Sequence, residues 1–251
     1  MRGVPTTEQL RSRIEELESK LARRVAEAED KELQLQRYAA DLRETFIEER
    51  TRSEELHRSY MLTVRALASA VEARDAYTGK HAERVAAYGL ALADVYGMHL
   101  GEEPQIEFGF LLHDVGKVAV PDAILFKPGP LTEAERLVMQ QHPLTGSEIV
   151  RDIEFLGAAR DVIRSHHERW DGGGYPDGLA REAIPVYARV FAVADTLDAL
   201  TTRRPYRNAS TIQEARAIIE ADAGTHFDPD VIAAFQALPD AMIEDIRRRI
   251  G

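Results

Sequence analysis

The chain has 251 residues, of which 44% are hydrophobic and 30% charged, enough for one large domain or a domain with an extension. It contains no cysteine, so disulfides and thiolate metal sites are excluded, and any metal must be held by nitrogen and oxygen atoms. The net charge of −11 argues against a nucleic-acid or membrane surface, and no apolar run approaches the roughly 20 residues of a membrane span. We therefore expect a cytoplasmic protein without DNA or membrane contacts.

The first 60 residues predict one long polar helix. Thr6 and Gln9 have the spacing of a capping box, and neither proline nor glycine occurs from Thr6 to Thr78. Apolar residues recur mostly at steps of three and four, which is the seam of a coiled coil. These residues are Leu10, Ile14, Leu17, Leu21, Val25, Ala28, Leu35, Tyr38, Leu42 and Phe46. A single solvated helix is the alternative, but a helix this long and polar needs a partner for its apolar stripe, which favours a homodimer.

The coiled coil predicts a signalling role for residues 1–60, with a globular domain over residues 61–251. Because the coil begins near residue 6, it leaves no room for a sensor domain in this chain. We therefore expect the input to arrive through dimerisation, a partner or a separate domain.

The globular part predicts helices and no strands. The apolar periodicity places them at residues 84–96, 106–115, 132–141, 147–153, 157–167 and 185–200, with another that starts at Ser210 and Gln213. Thr132 and Glu135 form a second capping box, and Asp228 before Pro229 is a good helix start. Residues 170–178, with four glycines and a proline, must form a loop, called here the glycine loop. The predicted fold is all-α.

Histidines concentrate near the predicted helix ends. His113 and Asp114 end an apolar run, and Lys117 follows about one turn later, so a metal-binding pair stands beside a cation suited to phosphate. The others in such places are His81, His142, His166 and His167. A lone histidine would be read as a hydrogen-bonded core residue, but several imidazoles together repel when protonated, so a shared metal accommodates them best. We expect His57, His99 and His226 to be ordinary surface or connector residues.

Asp195 interrupts an otherwise apolar helix. A buried and unpaired carboxylate would cost at least several kcal/mol, and a metal cation would offset that cost. The alternative is a salt bridge to one of four cations: Arg203, Arg204, Arg207 or Lys117.

Taken in order, these motifs resemble the HD superfamily of metal-dependent phosphohydrolases, and more closely the bacterial HD-GYP group. The matching stretches are 77–85 (YTGKHAERV), 113–117 (HDVGK), 142–146 (HPLTG), 166–179 (HHERWDGGGYPDGL), 195–200 (DTLDAL) and 204–207 (RPYR). The resemblance covers about residues 61–238 and implies a compact HD-type helical bundle after the coiled-coil helix.

The resemblance also implies a function and a metal site. The family hydrolyses cyclic di-GMP to the linear dinucleotide pGpG, and in some members onward to GMP, with iron or manganese. Carried over by position, the first ion takes His81, His113, Asp114 and Asp195. The second takes His142, His166 and His167, with Asp114 bridging both. Members with three ions have a glutamate where this chain has Tyr77, so two ions are predicted here.

The same resemblance assigns catalysis and contacts. A hydroxide shared by the two ions would attack the phosphorus, with Asp114 and Lys117 catalytic and Lys117 next to the phosphate. Arg204 and Tyr175 are the further substrate-binding candidates. The stretch from Gly172 to Gly178 resembles the surface through which the family contacts diguanylate cyclases.

Two other functions stay open at this point. One is a phosphohydrolase for other nucleotides such as dNTPs, against which the glycine loop and residues 204–207 argue. The other is a catalytically weak cyclic di-GMP sensor or scaffold, although all seven ligand positions and Lys117 are present.

Overall fold

A computed structural model describes residues 6–74, 80–98, 105–203 and 208–250. Within these ranges the regular structure is helical, with one isolated bridge between Ala223 and Phe227, so the all-α prediction is confirmed. Tyr77, His99, Arg204 and Arg207 lie outside the described residues. None of the helices in the described ranges combines the length and apolarity needed to cross a membrane.

The first helix, α1 (Thr7–Glu72), begins with the predicted cap. The Thr6 amide donates to Gln9 Oε1 at 2.9 Å, and the Gln9 amide donates to Thr6 Oγ1 at 3.3 Å. The chain divides into two compact units, Met1–Ser59 and Tyr60–Gly251. In the first unit every described residue is exposed, including the whole apolar stripe. The stripe is therefore uncovered in a single copy of the chain.

The second unit is a helical bundle. After the last turns of α1 it contains α2 (His81–Tyr96), α3 (Gln105–Leu112), α4 (Asp122–Leu125), α5 (Glu133–Met139), α6 (His142–Ile149), α7 (Gly157–Ser165), α8 (Val186–Thr201), α9 (Ile212–Ala221), α10 (Pro229–Ala237) and α11 (Asp240–Ile250). The core gathers around α2, α3, α7 and α8, where Leu92, Phe110, Ile163 and Phe191 are almost fully buried. Burying such apolar side chains is the main stabilising contribution to the bundle.

Local capping signals predicted several helix starts correctly. The capping box of Thr132 and Glu135 opens α5, and the Asp228 side chain accepts from the Asp230 amide at 2.9 Å at the start of α10. The helix start predicted at Ser210 and Gln213 is one residue too early, since Thr211 is the N-cap and forms a capping box with Glu214.

The helix predicted over residues 147–153 is also misplaced. The prediction left His142 and Pro143 between two helices, whereas they start α6. Proline fits the first turn of a helix because the amide it lacks would have no partner there. This start places His142 at a helix terminus that faces the other candidate ligands.

Candidate metal centre

The candidate ligands come from five helices, four of which contribute residues at or just beyond one end. His81 opens α2 and His142 opens α6, while His113 with Asp114 follows the end of α3. His166 with His167 follows the end of α7, and Asp195 lies within α8. Each histidine stands where a helix begins or has just ended, so its ring can turn inward without disturbing an interior helical turn.

A glycine makes one of these approaches possible. Gly116 lies in the short 3₁₀ turn Val115–Ala119 that packs on α6. A Cβ atom there would stand 1.9 Å from the His142 carbonyl oxygen and 2.6 Å from the Gly146 nitrogen. Only glycine lets the segment after Asp114 come this close to the start of α6.

Asp114 lies at the centre of the arrangement. Its Oδ2 is 3.1 Å from His113 Nε2 and 2.8 Å from Lys117 Nζ, while its Oδ1 is 3.3 Å from His142 Nε2. The two oxygens of one carboxylate therefore face different neighbours.

The first ligand group consists of His81, His113 and Asp114, whose ligand atoms all lie within 4.8 Å of one another. Asp195 stands beside this group, with its Oδ1 3.4 Å from His81 Nε2. Asp195 is only partly buried, with its side chain 29% exposed. The buried acid of α8 is Asp198, whose side chain is 2% exposed.

The second ligand group consists of His142, His166 and His167, again with ligand atoms within 4.8 Å. The Nε2 atoms of His142 and His166 are 3.2 Å apart, and the rings of His166 and His167 have centroids 4.2 Å apart.

In three of the histidines, the hydrogen bond made by Nδ1 determines that Nε2 is the nitrogen available to a metal. The Nδ1 atoms of His113, His142 and His166 lie 2.8–2.9 Å from the backbone carbonyl oxygens of Phe110, Met139 and Ile163, respectively. A carbonyl oxygen only accepts, so each Nδ1 donates its proton and each neutral ring carries a lone pair on Nε2. The Nε2 atoms of His142 and His166 then face each other as two acceptors. A cation bound by these two atoms would relieve that contact, so the donor set fits a metal.

Burial keeps two rings of the second group, His166 and His167, neutral. Burial lowers the pKa of His166 well below its ordinary value, and the neighbouring His167, His113 and His142 lower it further. Burial, followed by the effect of His142, lowers the pKa of His167 to about 3. Neutral imidazoles are the form that binds a metal, so no proton has to leave these two rings at neutral pH.

In the first group, neighbouring opposite charges outweigh burial in setting the pKa values. Burial on its own would raise the pKa of Asp114, but Lys117 and His113 hold it well below its ordinary value. Burial would lower the pKa of His113, yet the charge of Asp114 outweighs it and the pKa is raised. The carboxylate between the two groups is thus ionised and suited to a divalent ion.

Sequence reasoning gave no role to Asp198, which positions His81. Its Oδ2 lies 2.8 Å from His81 Nδ1, and its Oδ1 accepts from Arg84 Nε at 2.6 Å. Burial would raise the pKa of Asp198, but its hydrogen bonds with His81 and Arg84 lower it. The available signal was paired spacing: Asp198 follows Asp195 by three residues, as Arg84 follows His81.

The glycine loop folds back on the second group. The Tyr175 amide donates to the His167 carbonyl at 3.2 Å, and a Cβ on Gly174 would stand 2.4 Å from the Arg169 nitrogen. Glu168 is buried and accepts from the Asp177 amide at 2.8 Å and from the Leu179 amide at 3.0 Å. Sequence reasoning also missed Glu168, a charged residue between the paired histidines and the loop. These contacts place the loop next to the candidate ligands.

All seven predicted ligand residues meet in one place, and Lys117 stands beside them. The Tyr175 ring lies 4.7 Å from the His167 ring, at a tilt of 30°. Two other histidines lie apart from the ligand groups: His57 is exposed on α1, and the His226 ring stacks on Phe227 with centroids 4.2 Å apart.

Comparison with known proteins gives consistent results. A model of the HD domain family matches residues 65–231. The chain is 44% identical over 174 residues to the cyclic di-GMP phosphodiesterase response regulator RpfG of Xanthomonas campestris, covering 68% of this chain and 46% of that protein. It is 41% identical over 180 residues to a cyclic di-GMP phosphodiesterase of Thermotoga maritima, covering 71% and 49%, respectively.

A third relative is the 3′3′-cGAMP-specific phosphodiesterase 2 of Vibrio cholerae, 43% identical over 168 residues, covering 66% of this chain and 32% of that protein. The chain thus spans half or less of the length of these relatives. Among solved structures, a cyclic GMP-AMP specific phosphodiesterase of V. cholerae matches with a TM-score of 0.55 at 22% identity, covering 74% of this chain and 52% of that one. The HD domain of the phosphodiesterase PgpH of L. monocytogenes matches with a TM-score of 0.51 at 18% identity, covering 74% and 99%. At these identities the likeness shows a shared fold.

Proposed function

The chain belongs to the HD domain family, and on that premise we propose that it is a metal-dependent phosphodiesterase that opens cyclic di-GMP to the linear dinucleotide pGpG. The observation that carries the proposal is the pair of histidine groups joined by Asp114. Relatives named as cyclic di-GMP phosphodiesterases, at 41–44% identity, support the substrate class.

We propose that the site holds two divalent ions, iron or manganese. His81, His113, Asp114 and Asp195 would hold the first, and His142, His166 and His167 the second, with Asp114 shared. Bound there, such ions supply Lewis acidity toward a phosphodiester and lower the pKa of water. The predicted absence of a third ion rests on Tyr77 and stays a prediction from the sequence.

Lys117 is the proposed phosphate contact. Its Nζ donates to Asp114 at 2.8 Å, and its side chain is 20% exposed, so its charge lies at the edge of the ligand groups. An ammonium in that position would neutralise a phosphate oxygen and stabilise the charge on the departing 3′ oxygen. Asp114 keeps Lys117 in place while facing both ligand groups.

Tyr175 is the proposed contact for a base or ribose. Its ring lies next to that of His167, and burial raises the pKa of its hydroxyl still further above neutral pH, so the hydroxyl is a hydrogen-bond donor. Arg204 remains a sequence-based candidate for a second phosphate or a guanine.

A substrate panel tests the proposal. The full chain, loaded anaerobically with Mn²⁺ or Fe²⁺, is incubated with cyclic di-GMP, 3′3′-cGAMP and dGTP, and the products are separated by liquid chromatography. We expect cyclic di-GMP turnover to pGpG, with any GMP appearing later, and loss of turnover in the double variant His113→Ala, Asp114→Ala. Undiminished turnover in that variant, or hydrolysis of dGTP alone, contradicts the proposal. The panel includes 3′3′-cGAMP because a relative named for it is 43% identical.

Residues 1–60 are proposed to pair with a second copy. In the single chain, stripe residues such as Leu35 and Leu42 are 67% and 72% exposed, and a coiled coil would bury them. Sedimentation of the full chain should give a dimer, and Leu35→Glu with Leu42→Glu should give a monomer.

A diguanylate cyclase contact through residues 172–178 is a further proposal, which a pull-down with a loop variant would test.

A further inference from the structure

The start of α2, which carries His81, has no capping side chain of its own. Its N-cap residue Lys80 is left-handed, with φ 62°, and makes no side-chain cap hydrogen bond. The first amides of a helix have no partner within the helix and need an acceptor from elsewhere. The Ala82 amide finds one on another helix, donating to Glu72 Oε1 at 2.6 Å.

Glu72 is the last residue of α1, and its position follows from the packing of that helix. Val64 and Ala68 precede it by eight and four residues, so the three share one helix face. Val64 and Ala68 are buried in the core of the second unit, at 1% and 6% exposure. Any rotation or shift of these last turns of α1 therefore moves the Glu72 carboxylate.

Glu72 also stands close to the first ligand group. It lines a narrow cavity of about 20 Å³ together with His81, His113 and Asp114. His81 is thus held from two sides: Asp198 of α8 binds its ring, and Glu72 of α1 binds the backbone of the next residue.

We propose that Glu72 is a positioning residue for His81, which couples the end of α1 to the metal affinity of the first ligand group. A charged acceptor makes a strong hydrogen bond to a backbone amide, so the carboxylate keeps the first turn of α2 in register with α1. Without it, His81 loses the support on its backbone side and keeps only that of Asp198 on its ring, while the contacts of the second ligand group are unchanged. The inference rests on the proposed function in one respect, namely that the first group binds a metal.

The test is a metal titration of the full chain, stripped with chelator and titrated with Mn²⁺ by calorimetry. The variants are Glu72→Ala, Glu72→Asp and Glu72→Gln, and the matched control is Glu214→Ala. Glu214 makes the same kind of contact, accepting from the Thr211 amide at 2.8 Å, but it does so at the start of α9. Glutamine keeps an acceptor oxygen at the same reach, whereas aspartate keeps the charge on a shorter side chain.

We expect Glu72→Ala and Glu72→Asp to weaken one of two Mn²⁺ binding events by about tenfold or more, since loss of a residue that orients a ligand has effects of that size. The other event should stay within about twofold, and Glu72→Gln, which keeps the acceptor oxygen, should bind Mn²⁺ nearly as tightly as the wild type in both events. Glu214→Ala should lower the Tm and leave both events unchanged.

Two binding events that are unchanged in both Glu72→Ala and Glu72→Asp overturn the inference and leave the proposed function standing. If both binding events weaken and the Tm falls as well, the inference is also overturned, because Glu72 would then be a purely structural residue. If Glu72→Ala does not fold, the comparison of Glu72→Asp with Glu72→Gln decides by the same criteria. A wild-type chain that binds no Mn²⁺ contradicts the proposed function itself.

Discussion

The two ligand groups are built from different chemistry. The first contains Asp114 and has Asp195 beside it, and its His81 is oriented by a buried carboxylate, Asp198. The second consists of imidazoles alone, and His142 and His166 are oriented by backbone carbonyls. The first group therefore contains negative charge before any metal binds. The second group contains no carboxylate of its own, and Asp114 presents its Oδ1 to His142.

This difference indicates how the two groups depend on each other. A divalent ion in the second group would have neutral ligands of its own and would need Asp114 for charge, so its affinity is tied to the first group. An ion held by the first group as proposed would have Asp195 as a second carboxylate ligand. Changes at the shared carboxylate should therefore affect both groups, and changes in the outer hydrogen bonds should affect one.

The largest effect is expected for Asp114→Asn. Because one carboxylate faces both groups, the variant should lose affinity for both ions. Cyclic di-GMP turnover should fall by about 1,000-fold or more, which exceeds the usual effect of removing a single electrostatic contact. Metal analysis of the purified protein alongside a turnover assay measures both. Asp152→Asn is the control, since Asp152 lies on the surface with an 89% exposed side chain. A variant that keeps one ion at full affinity would show that Asp114 does not bridge.

Single-group variants should separate the two halves. We expect His81→Ala to remove the first ion and His166→Ala to remove the second, each lowering turnover by about 100-fold or more because the remaining ion lacks its partner. Elemental analysis should find one ion per chain in each variant, against two in the wild type. If either variant lost both ions, binding in the two groups would be cooperative rather than separable.

Asp198→Asn should have a narrower effect on binding. Loss of the charged partner of His81 should lower the affinity for the first ion by about 10–100-fold, without changing the affinity for the second ion. It also leaves Arg84 buried beside a neutral group, so the free energy of unfolding should fall by about 3 kcal/mol. Calorimetric metal titration and urea unfolding measure the two effects.

A matched pair elsewhere provides the control for Asp198. Asp228 is equally buried, and its Oδ2 accepts from Arg189 Nη1 at 2.5 Å. Asp228→Asn should destabilise the fold to a similar extent and leave both metal affinities unchanged. Equal weakening of metal binding in the two variants would mean that Asp198 acts only through stability.

The smallest effect concerns the pH dependence of the metal-free protein. The pKa of His167 is lowered to about 3 in the folded state, so between that value and the unfolded value near 6.5 the unfolded chain binds more protons. Stability must then fall as the pH decreases through this window, by on the order of 1 kcal/mol for His167 between pH 7 and pH 5.5. The lowered pKa of His166 acts in the same direction.

Urea unfolding of the chelator-treated protein at both pH values measures this loss. In His167→Gln the loss should be smaller, because one of the two titrating rings is gone. The raised pKa of His113 acts in the opposite sense, adding stability below the unfolded value that is lost as the pH rises through the folded one. A pH dependence that is the same in His167→Gln and the wild type would contradict the assignment to the second group.

Much of the local structure was predictable because its causes lie close together in the chain. The capping boxes at Thr6 and Thr132 and the start at Asp228 follow from residues two or three positions apart. The start of α6 was misread because Pro143 serves equally well as a helix breaker or in a first turn, and only the packing against the turn after Asp114 distinguishes the two.

The amino-acid sequence by itself determined the helical character of the chain, several of its helix starts and the set of residues available to hold a metal. These properties follow from periodicity, capping and residue chemistry, which act over a few positions. The tertiary structure decided how the two oxygens of Asp114 are shared, that Asp198 rather than Asp195 is the buried acid of α8, and that Glu72 reaches Ala82. Asp198 meets His81 across 117 positions of the chain. Such contacts depend on which helix termini pack together, and no local pattern in the sequence specifies that.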